Sequence, residues 1–212
     1  MTVGIGLGVA LSWSSGEMQR RGARLVLDSA AEALKCSLEA SPLFAALSWL
    51  LKQDSLPLST YQDIRERSFA YWICSVLLWF IIFDLLMYLQ HRLTHSTRFL
   101  YDSVHYHHHK LRPLVTPVVL VFGAVDMALM ALAAIAPTSI ITMHWGTIFL
   151  CVAAIILYSF LTHNLDMDFM AGSRWMVSSR SHGKHHQYGM DACNYGVITN
   201  CWDLLFGTYR EP

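Results

Sequence analysis

The sequence predicts an all-α fold, an integral membrane helical bundle of three or four spans with a cytoplasmic helical cap. Of the 212 residues, 54% are hydrophobic and only 14% are charged, whereas ordinary soluble domains carry about 25% charged residues. The apolar residues are concentrated in long runs, and many of the positive charges lie in the segments that follow those runs. The two patterns together are typical of a membrane protein with a fixed orientation.

The apolar runs predict where the spans lie. The longest uncharged run covers residues 127–165. As a single helix it would be about 58 Å long, nearly twice the roughly 30 Å hydrocarbon core of a bilayer. Pro137 lies where a turn is needed, so the run predicts a helical hairpin with spans over residues 114–136 and 139–161. An earlier apolar run predicts a further span over residues 69–90.

Residues 1–60 are predicted to form an amphipathic, interfacial region, and residues 61–212 a single membrane domain. Apolar residues recur at helical spacing with charges between them, as expected of a helix on a membrane surface: Leu27, Ala31, Leu34 and Leu38. The pair Ser41 and Pro42 predicts the start of a second helix, because serine is a good N-cap and proline favours the first helical position.

The positive charges predict the orientation in the membrane. Eight Lys and Arg residues lie after the first span or after the hairpin: Arg92, Arg98, Lys110, Arg112, Arg174, Arg180, Lys184 and Arg210. The tip of the hairpin carries no charge, so the positive-inside rule places residues 91–112 and 163–212 in the cytoplasm. The expected membrane is the endoplasmic reticulum in a eukaryotic cell and the inner membrane in a bacterial one.

The remaining composition narrows the function classes. Fifteen basic residues balance fifteen acidic ones without a dense basic patch, which argues against nucleic acid as a partner. The five cysteines form no CxxC pair, so a disulfide framework is not expected. The eleven histidines are the unusual feature, and ten of them fall in the two predicted cytoplasmic segments.

The spacing of these histidines predicts that they converge. His91 and His95 are four residues apart and therefore share one face of a helix. Two boxes repeat the spacing i, i+3, i+4: His105, His108 and His109 in the first, and His182, His185 and His186 in the second. His163 stands alone, but it is expected at the depth of His91, because each follows about 33–36 Å of helical span.

Nine converging imidazoles predict a dinuclear metal site. Neutral imidazole ligates iron, copper, zinc and nickel. Two closed tetrahedral zinc sites would need only about eight ligands, so nine suit two metals of higher coordination, with room for water or oxygen. Redox-active iron fits this ligand set, although ligand type alone also permits zinc. His144 is left out because it lies within an apolar span, and His107 is expected beside the site.

The boxes resemble the fatty acid hydroxylase/sterol desaturase superfamily over about residues 84–209. The resemblance is carried by Asp84, Tyr88, His91 and His95, by HYHHH and HGKHH, and by the closing NYG and WDLLFGTY. It implies a di-iron centre that activates O2 and abstracts hydrogen from an unactivated lipid C–H bond. It also implies electrons from NAD(P)H, delivered by partners, a reductase and a b-type cytochrome, and it makes residues 61–212 the catalytic domain.

Carried over box by box, the resemblance implies nine metal ligands: His91, His95, His105, His108, His109, His163, His182, His185 and His186. Zinc can replace iron during preparation, since the same ligands accept it. Four carboxylates are candidate acceptors for imidazole N–H groups: Asp84, Asp102, Asp191 and Asp203. Some relatives have two histidines around the position of His163, so Asn164 is a candidate to complete that metal's coordination through water.

The substrate predicted from the sequence is a long-chain sphingoid base, because a slender chain needs only a narrow cleft between three spans. A sterol desaturase or sterol methyl oxidase of the same family is the alternative. A non-catalytic metal-binding membrane subunit is the alternative of another class. The N-terminal region lacks a clear pair of spans, which favours completion of the membrane part by a partner or an oligomer.

Overall fold

The computed structural model describes residues 2–52 and 58–212, which form the predicted helical bundle. Its α-helices are α1 (Thr2–Ser14), α2 (Glu17–Arg21), α3 (Ala23–Lys52), α4 (Phe69–Thr94), α5 (Arg98–Leu100), α6 (Tyr106–His109), α7 (Ala124–Ile135), α8 (Trp145–Thr162), α9 (Ser179–Tyr188) and α10 (Cys201–Phe206). The strands in this part of the chain are β1 (Thr60–Tyr61) and β2 (Met143–His144). A π-helical turn covers Tyr101–His105, and short 3-10 helices include Thr116–Leu120 and Leu165–Met167.

Helices α4 and α8 run in the same direction. Each follows one strand of a parallel pair, in which Thr60 lies opposite Met143. At the starts of the two helices, the Trp72 indole donates a hydrogen bond to Thr147 Oγ1 over 2.8 Å. Since their beginnings are fixed side by side, their ends also lie together, and these ends carry His91 and His163. The two histidines therefore lie at the same end of the bundle.

These two helices are the ones in the described residues that are long and apolar enough to cross a bilayer. Helix α4 has 26 residues and α8 has 18, which at about 1.5 Å per residue gives lengths close to the hydrocarbon core. Large apolar side chains on them face outward, for example Leu77, Phe149 and Leu150, which are 59%, 68% and 72% exposed. A belt of this kind suits lipid better than water.

The predicted span over residues 114–136 is wrong as a continuous helix. The segment forms the 3-10 helix Thr116–Leu120 and then α7, which has only 12 residues. The helical path is interrupted at Val121, whose backbone is extended, and resumes only after the extended N-cap Gly123. Pro117 lies in the first turn of the 3-10 helix, where proline is tolerated. The predicted turn at Pro137 is present as a 3-10 turn, but α8 begins at Trp145, later than predicted.

The N-terminal region packs against this broken segment. Helix α3 continues through Ser41 and Pro42, so the predicted helix start at that point is wrong. Its buried face includes Ala33 and Cys36, which pack with Val121 and Met127. The predicted apolar stripe lies on the opposite, exposed side of α3: Leu27, Ala31, Leu34 and Leu38.

Candidate metal centre

The nine predicted ligand histidines lie together and are buried. They form two groups, and within each group the candidate ligand atoms all lie within 4.8 Å of one another. The five-histidine group consists of His91, His95, His105, His109 and His185. The four-histidine group consists of His108, His163, His182 and His186.

Each three-histidine box contributes histidines to both groups. His105 and His109 join the five-histidine group while His108 joins the other. In the second box, His182 and His186 join the four-histidine group while His185 crosses over. In each box the two histidines that are four residues apart belong to the same group, and the third histidine belongs to the other group. Because each box spans both groups, the two groups lie side by side.

The backbone orients several of the rings through Nδ1. His91 Nδ1 donates to Tyr195 O over 2.8 Å, and His185 Nδ1 donates to Cys193 O over 2.9 Å. In the other group, His163 Nδ1 donates to Ser159 O over 2.8 Å. His108 makes a longer contact, 3.3 Å, to Val121 O. A ring that donates through Nδ1 presents an unprotonated Nε2, which is the form that binds metals.

The Nε2 atoms then face one another. His163 Nε2 lies 3.0 Å from His182 Nε2, and His182 Nε2 lies 3.1 Å from His186 Nε2. In the other group His185 Nε2 lies 3.1 Å from His109 Nε2. With metal–nitrogen bonds of about 2.0–2.1 Å, neighbouring ligand nitrogens lie about 3.0 Å apart at right angles and about 3.4 Å apart in a tetrahedron. The spacing therefore fits metal coordination.

Other nitrogens in the cluster point to the same ligand. The Nε2 atoms of His91 and His105 are buried and have no hydrogen-bond partner among the described residues. Buried polar atoms normally have a partner, and a cation in each group would satisfy these atoms and the facing Nε2 lone pairs at once. The donor set fits two metal ions.

Burial keeps the imidazoles uncharged. It is the largest cause that lowers the pKa of His108, His182 and His185 well below the usual value, with nearby histidines adding to it. Burial, with the neighbouring His105, lowers the pKa of His95 to about 3. These rings are neutral near pH 7, so their lone pairs are available to a metal without competition from protons.

Asp126 is a site residue that the sequence analysis missed. It is 1% exposed, and its Oδ2 accepts a hydrogen bond from His105 Nδ1 over 2.6 Å. Gln90 Nε2 donates to its other oxygen over 2.9 Å. A carboxylate that accepts an imidazole N–H makes the ring a stronger ligand. The signal was present, because Asp126 is the lone charge in the apolar segment 114–136, where an ionisable residue is costly without a role.

Asp84 was expected to accept an imidazole N–H, and this prediction is wrong. Its carboxylate accepts hydrogen bonds from Thr199 Oγ1, from the Trp202 indole and from the backbone N–H groups of Ile198 and Thr199. Asp84 lies seven residues before His91, about 10 Å lower along the helix, too far to reach the ring. It ties the C-terminal segment to α4 instead.

Asp203 acts on the site through the backbone. It accepts hydrogen bonds from Tyr195 N over 2.8 Å and from Gly196 N over 2.7 Å, so the prediction of a direct bond to an imidazole is wrong. The carbonyl of Tyr195 is the acceptor for His91. A side chain at Gly196 would collide with the backbone oxygen of Thr199, which explains why the NYG turn needs a glycine.

The other predicted neighbours do not contact the ligand atoms. Asn164 Oδ1 accepts from Asp166 N and Met167 N, and its Nδ2 donates to two hydroxyls, so its amide is already satisfied and the predicted water bridge to a metal is not supported. Three more predicted neighbours lie outside both groups: Asp102, which is exposed and paired with Arg98, Asp191, which is exposed, and the half-buried His107.

His144 lies at the opposite end of α8 from the site, as expected for a histidine without a metal role. It caps the helix, and its Nε2 contacts Gln62 O over 2.8 Å. The helix between His144 and His163 has 18 residues, which separates the two rings by about 27 Å.

An apolar cavity of about 370 Å³ opens beneath the histidines. Its polar end is formed by histidines of both groups: His91, His105, His108, His163 and His182. Its walls are formed mainly by side chains of α4, α7 and α8, including Phe83, Met87, Met127, Met130, Val152 and Ile155, and α3 and the 3-10 helix Thr116–Leu120 contribute the rest of the apolar lining together with Phe122 and Val197. Pockets for small ligands are typically about 300–1,000 Å³ and mostly apolar, so the cavity suits a hydrophobic molecule whose reacting carbon lies near both histidine groups.

Two apolar spans, two adjoining histidine groups and an apolar cavity below them define a membrane protein with a candidate dinuclear metal centre. The model of the fatty acid hydroxylase family matches residues 76–208. The match covers more than half of the chain, and the chain belongs to that family. The resemblance noted from the histidine boxes is confirmed.

Two curated relatives are similar to the chain at low identity. A Delta(7)-sterol 5(6)-desaturase of Aspergillus fumigatus is 25% identical over 214 aligned positions, which cover 89% of this chain and 65% of the relative. A Delta(7)-sterol 5(6)-desaturase of Gibberella zeae is 28% identical over 158 positions, which cover 72% of this chain and 46% of the relative. The chain thus spans less than two thirds of the length of either relative. No solved structure gives a significant match.

Proposed function

We propose that the protein is a membrane oxidoreductase that hydroxylates or desaturates a lipid. The observation that carries the proposal is the position of the apolar cavity, which ends directly at histidines of both groups. A lipid chain in the cavity would bring a C–H bond to the metal centre without entering water. Membership of the fatty acid hydroxylase family supports the same reaction class.

The histidines would hold two iron ions, one in each group. Bound iron would supply the activation of O2, which is reduced with two electrons from the external donor and in turn oxidises a C–H bond. The protein's own side chains do the rest. Asp126 and the carbonyls of Tyr195 and Cys193 fix the tautomers of His105, His91 and His185. The cavity walls bind the chain by apolar contact and exclude water, which limits reaction with solvent.

A long-chain sphingoid base is the substrate proposed from the sequence, since a slender chain suits a mostly apolar cavity of about 370 Å³, which is lined by α4, α7 and α8 and by parts of α3 and the 3-10 helix Thr116–Leu120. Sterol desaturation is the second candidate, and it is supported by the similarity to the two Delta(7)-sterol 5(6)-desaturases. Both substrates present an unactivated C–H bond on an apolar body, so both fit the same metal centre.

Electrons from NAD(P)H, delivered by a reductase and a b-type cytochrome, belong to the proposal, as does a metal centre on the cytoplasmic face of the endoplasmic reticulum or inner membrane. The charge pattern supports the orientation, because Lys110, Arg112 and Lys184 lie on the side of the histidines and positive charge marks the cytoplasmic side. Oligomerisation is also proposed, since the described residues contain two helices long enough to cross a bilayer, fewer than the three or four spans expected.

The proposal is tested by lipid analysis of cells that express the parent chain or its His182→Ala variant. Strains that lack sphingoid-base hydroxylation and strains that lack sterol desaturation are used in parallel. We expect a product with one added oxygen or two fewer hydrogens only with the parent chain. Rescue of the sterol strain alone would move the substrate to the second candidate. Metal-loaded protein with no product and no O2 consumption under reducing conditions would favour a non-catalytic metal-binding subunit.

Orientation is tested separately with membrane-impermeant labels at cysteines introduced at Lys110 and Arg210. Both lie near the histidine groups, so both should be labelled from the cytoplasmic face. Labelling from opposite faces would rule out a shared metal centre, because α4 and α8 would then end on different sides of the membrane.

A further inference from the structure

A buried carboxylate in the N-terminal region belongs to the surroundings of the four-histidine group. Glu17 is the first residue of α2 and is 0% exposed. Its Oε2 accepts hydrogen bonds from Ser12 Oγ over 2.5 Å, from Thr116 N over 3.0 Å and from Thr116 Oγ1 over 2.8 Å. A buried carboxylate is costly unless it is hydrogen-bonded in this way, so the contact fixes the two segments against each other.

Thr116 connects Glu17 to one histidine of the four-histidine group. Thr116 begins the 3-10 helix Thr116–Leu120, and Val121 caps the other end of that helix. The carbonyl of Val121 is the one that His108 Nδ1 contacts. Glu17 accepts the first N–H of this short helix, that of Thr116. It therefore also helps to position the carbonyl of Val121 at the far end, which His108 contacts.

Thr116 connects Glu17 to a second histidine as well. Its Oγ1 donates to Glu17 and accepts a hydrogen bond from Asn164 Nδ2 over 2.8 Å. Asn164 follows His163 directly, and its second Nδ2 hydrogen is donated to Ser15 Oγ over 2.9 Å. The residue after His163 is therefore held from both sides by the α1–α2 connection and by Thr116.

Ion pairs hold the same turn from the same region. Arg20 and Arg21 contact the two carboxylate oxygens of Asp166 over 3.3 and 3.2 Å. Asp166 N in turn donates to Asn164 Oδ1. These contacts all lie on the side of His163 and His108, whereas the five-histidine group is oriented by Asp126, Tyr195 and Cys193.

We propose that Glu17 is a positioning residue for the four-histidine group, acting through Thr116 and Asn164 on His108 and His163. The α1–α2 connection is then part of the metal centre's support rather than an interfacial appendage. The metal measurement that tests this proposal rests on the proposed function, whereas the hydrogen-exchange measurement does not. Its distinctive consequence is asymmetry, because loss of the network weakens one histidine group and leaves the other intact.

The decisive variant is Thr116→Val, which keeps the shape and removes the hydroxyl that joins Glu17 to Asn164. We expect iron affinity of one site to fall by about 10–100-fold, as for other residues that orient metal ligands, while the second ion stays bound. Thr116→Ser restores a hydroxyl and should keep both ions. Thr138→Val makes the same change at a buried threonine whose hydroxyl donates only to Ile135 O, at the end of the bundle away from the histidines, and is the matched control. Glu17→Gln keeps one acceptor oxygen and should act in the same direction by less.

Hydrogen exchange of the metal-free protein gives a second readout. In Thr116→Val the amides of Asp166 and Met167 should exchange faster, because their acceptor Asn164 loses a partner, while those of Tyr195 and Gly196 stay as in the parent. Unchanged metal binding and exchange, or equal loss at both groups, would overturn the proposal. If the parent chain binds no metal, the proposed function fails, and the exchange pattern alone still decides: faster exchange confined to the turn after His163 supports the positioning role, and no change refutes it.

Discussion

The two histidine groups differ in how the chain builds them. The five-histidine group takes His91 and His95 from one long helix and His105 and His109 from the box that follows it, so local helical spacing does most of the assembly. The four-histidine group brings together single or paired residues from three segments far apart in the chain. The five-histidine group also has one more candidate ligand than the other, so it should tolerate the loss of one member better.

The largest expected effect separates the groups by ligand count. His95→Ala leaves four histidines in its group and should keep close to the parent's metal content, because about four protein ligands suffice for a closed site. His163→Ala leaves three histidines and should lose about one ion per chain, since about three ligands form an open and weaker site. Both variants should lose turnover. Metal analysis and O2 consumption are the measurements.

His144→Ala is the control for this pair, because His144 caps α8 at the end away from the site. It should keep metal and turnover. Equal loss from His144→Ala and His163→Ala would remove His163 from the ligand set and with it the four-histidine group.

The next effect tests the carboxylate that supports only the five-histidine group. Asp126→Asn keeps the size of the side chain but removes the charge that His105 contacts. We expect metal affinity of that group to fall by about 10–100-fold, measured by competition with a chelator. Asp102→Asn is the matched control, because Asp102 is exposed and pairs with Arg98. An unchanged affinity in Asp126→Asn would show that the carboxylate only satisfies Gln90.

The smallest effect concerns stability. Asp203→Asn places a donor where the carboxylate accepts two backbone N–H groups and the Thr208 hydroxyl. The change should lower the free energy of unfolding by about 1–3 kcal/mol, seen as a lower midpoint of thermal unfolding in detergent. Asp191→Asn, at an exposed position, should change it by less than about 0.5 kcal/mol. Similar shifts for both would mean that the NYG turn contributes little.

The convergence of the nine histidines and the positions of the main spans could be predicted because most of their signals are local, whereas the division into two groups could not. An apolar run has to form a helix in a membrane, and residues four apart on a helix meet on one face. This reasoning found α4, the end of α8 and all nine converging histidines. It also separated His144 from them, because helix length alone places it at the wrong end.

The residues that orient the histidines could not be predicted in the same way. Asp84 and Asp203 were expected to accept imidazole N–H groups, but both accept hydrogen bonds from backbone N–H groups of the C-terminal segment. Asp126 and Glu17 act on residues 21 and 99 positions away, and no local spacing rule reaches that far. Residues 114–136 were predicted to form one span from their hydropathy, which does not register that the backbone is extended at Val121 and Gly123.

The central claim is a pair of metal ions held by nine histidines, and metal counting tests it most directly. Protein produced with iron and purified in folded form should contain about two ions per chain, because nine ligands exceed what one ion accepts. Zinc in place of iron would leave this count unchanged. One ion per chain, or none, in well-folded protein would contradict the account.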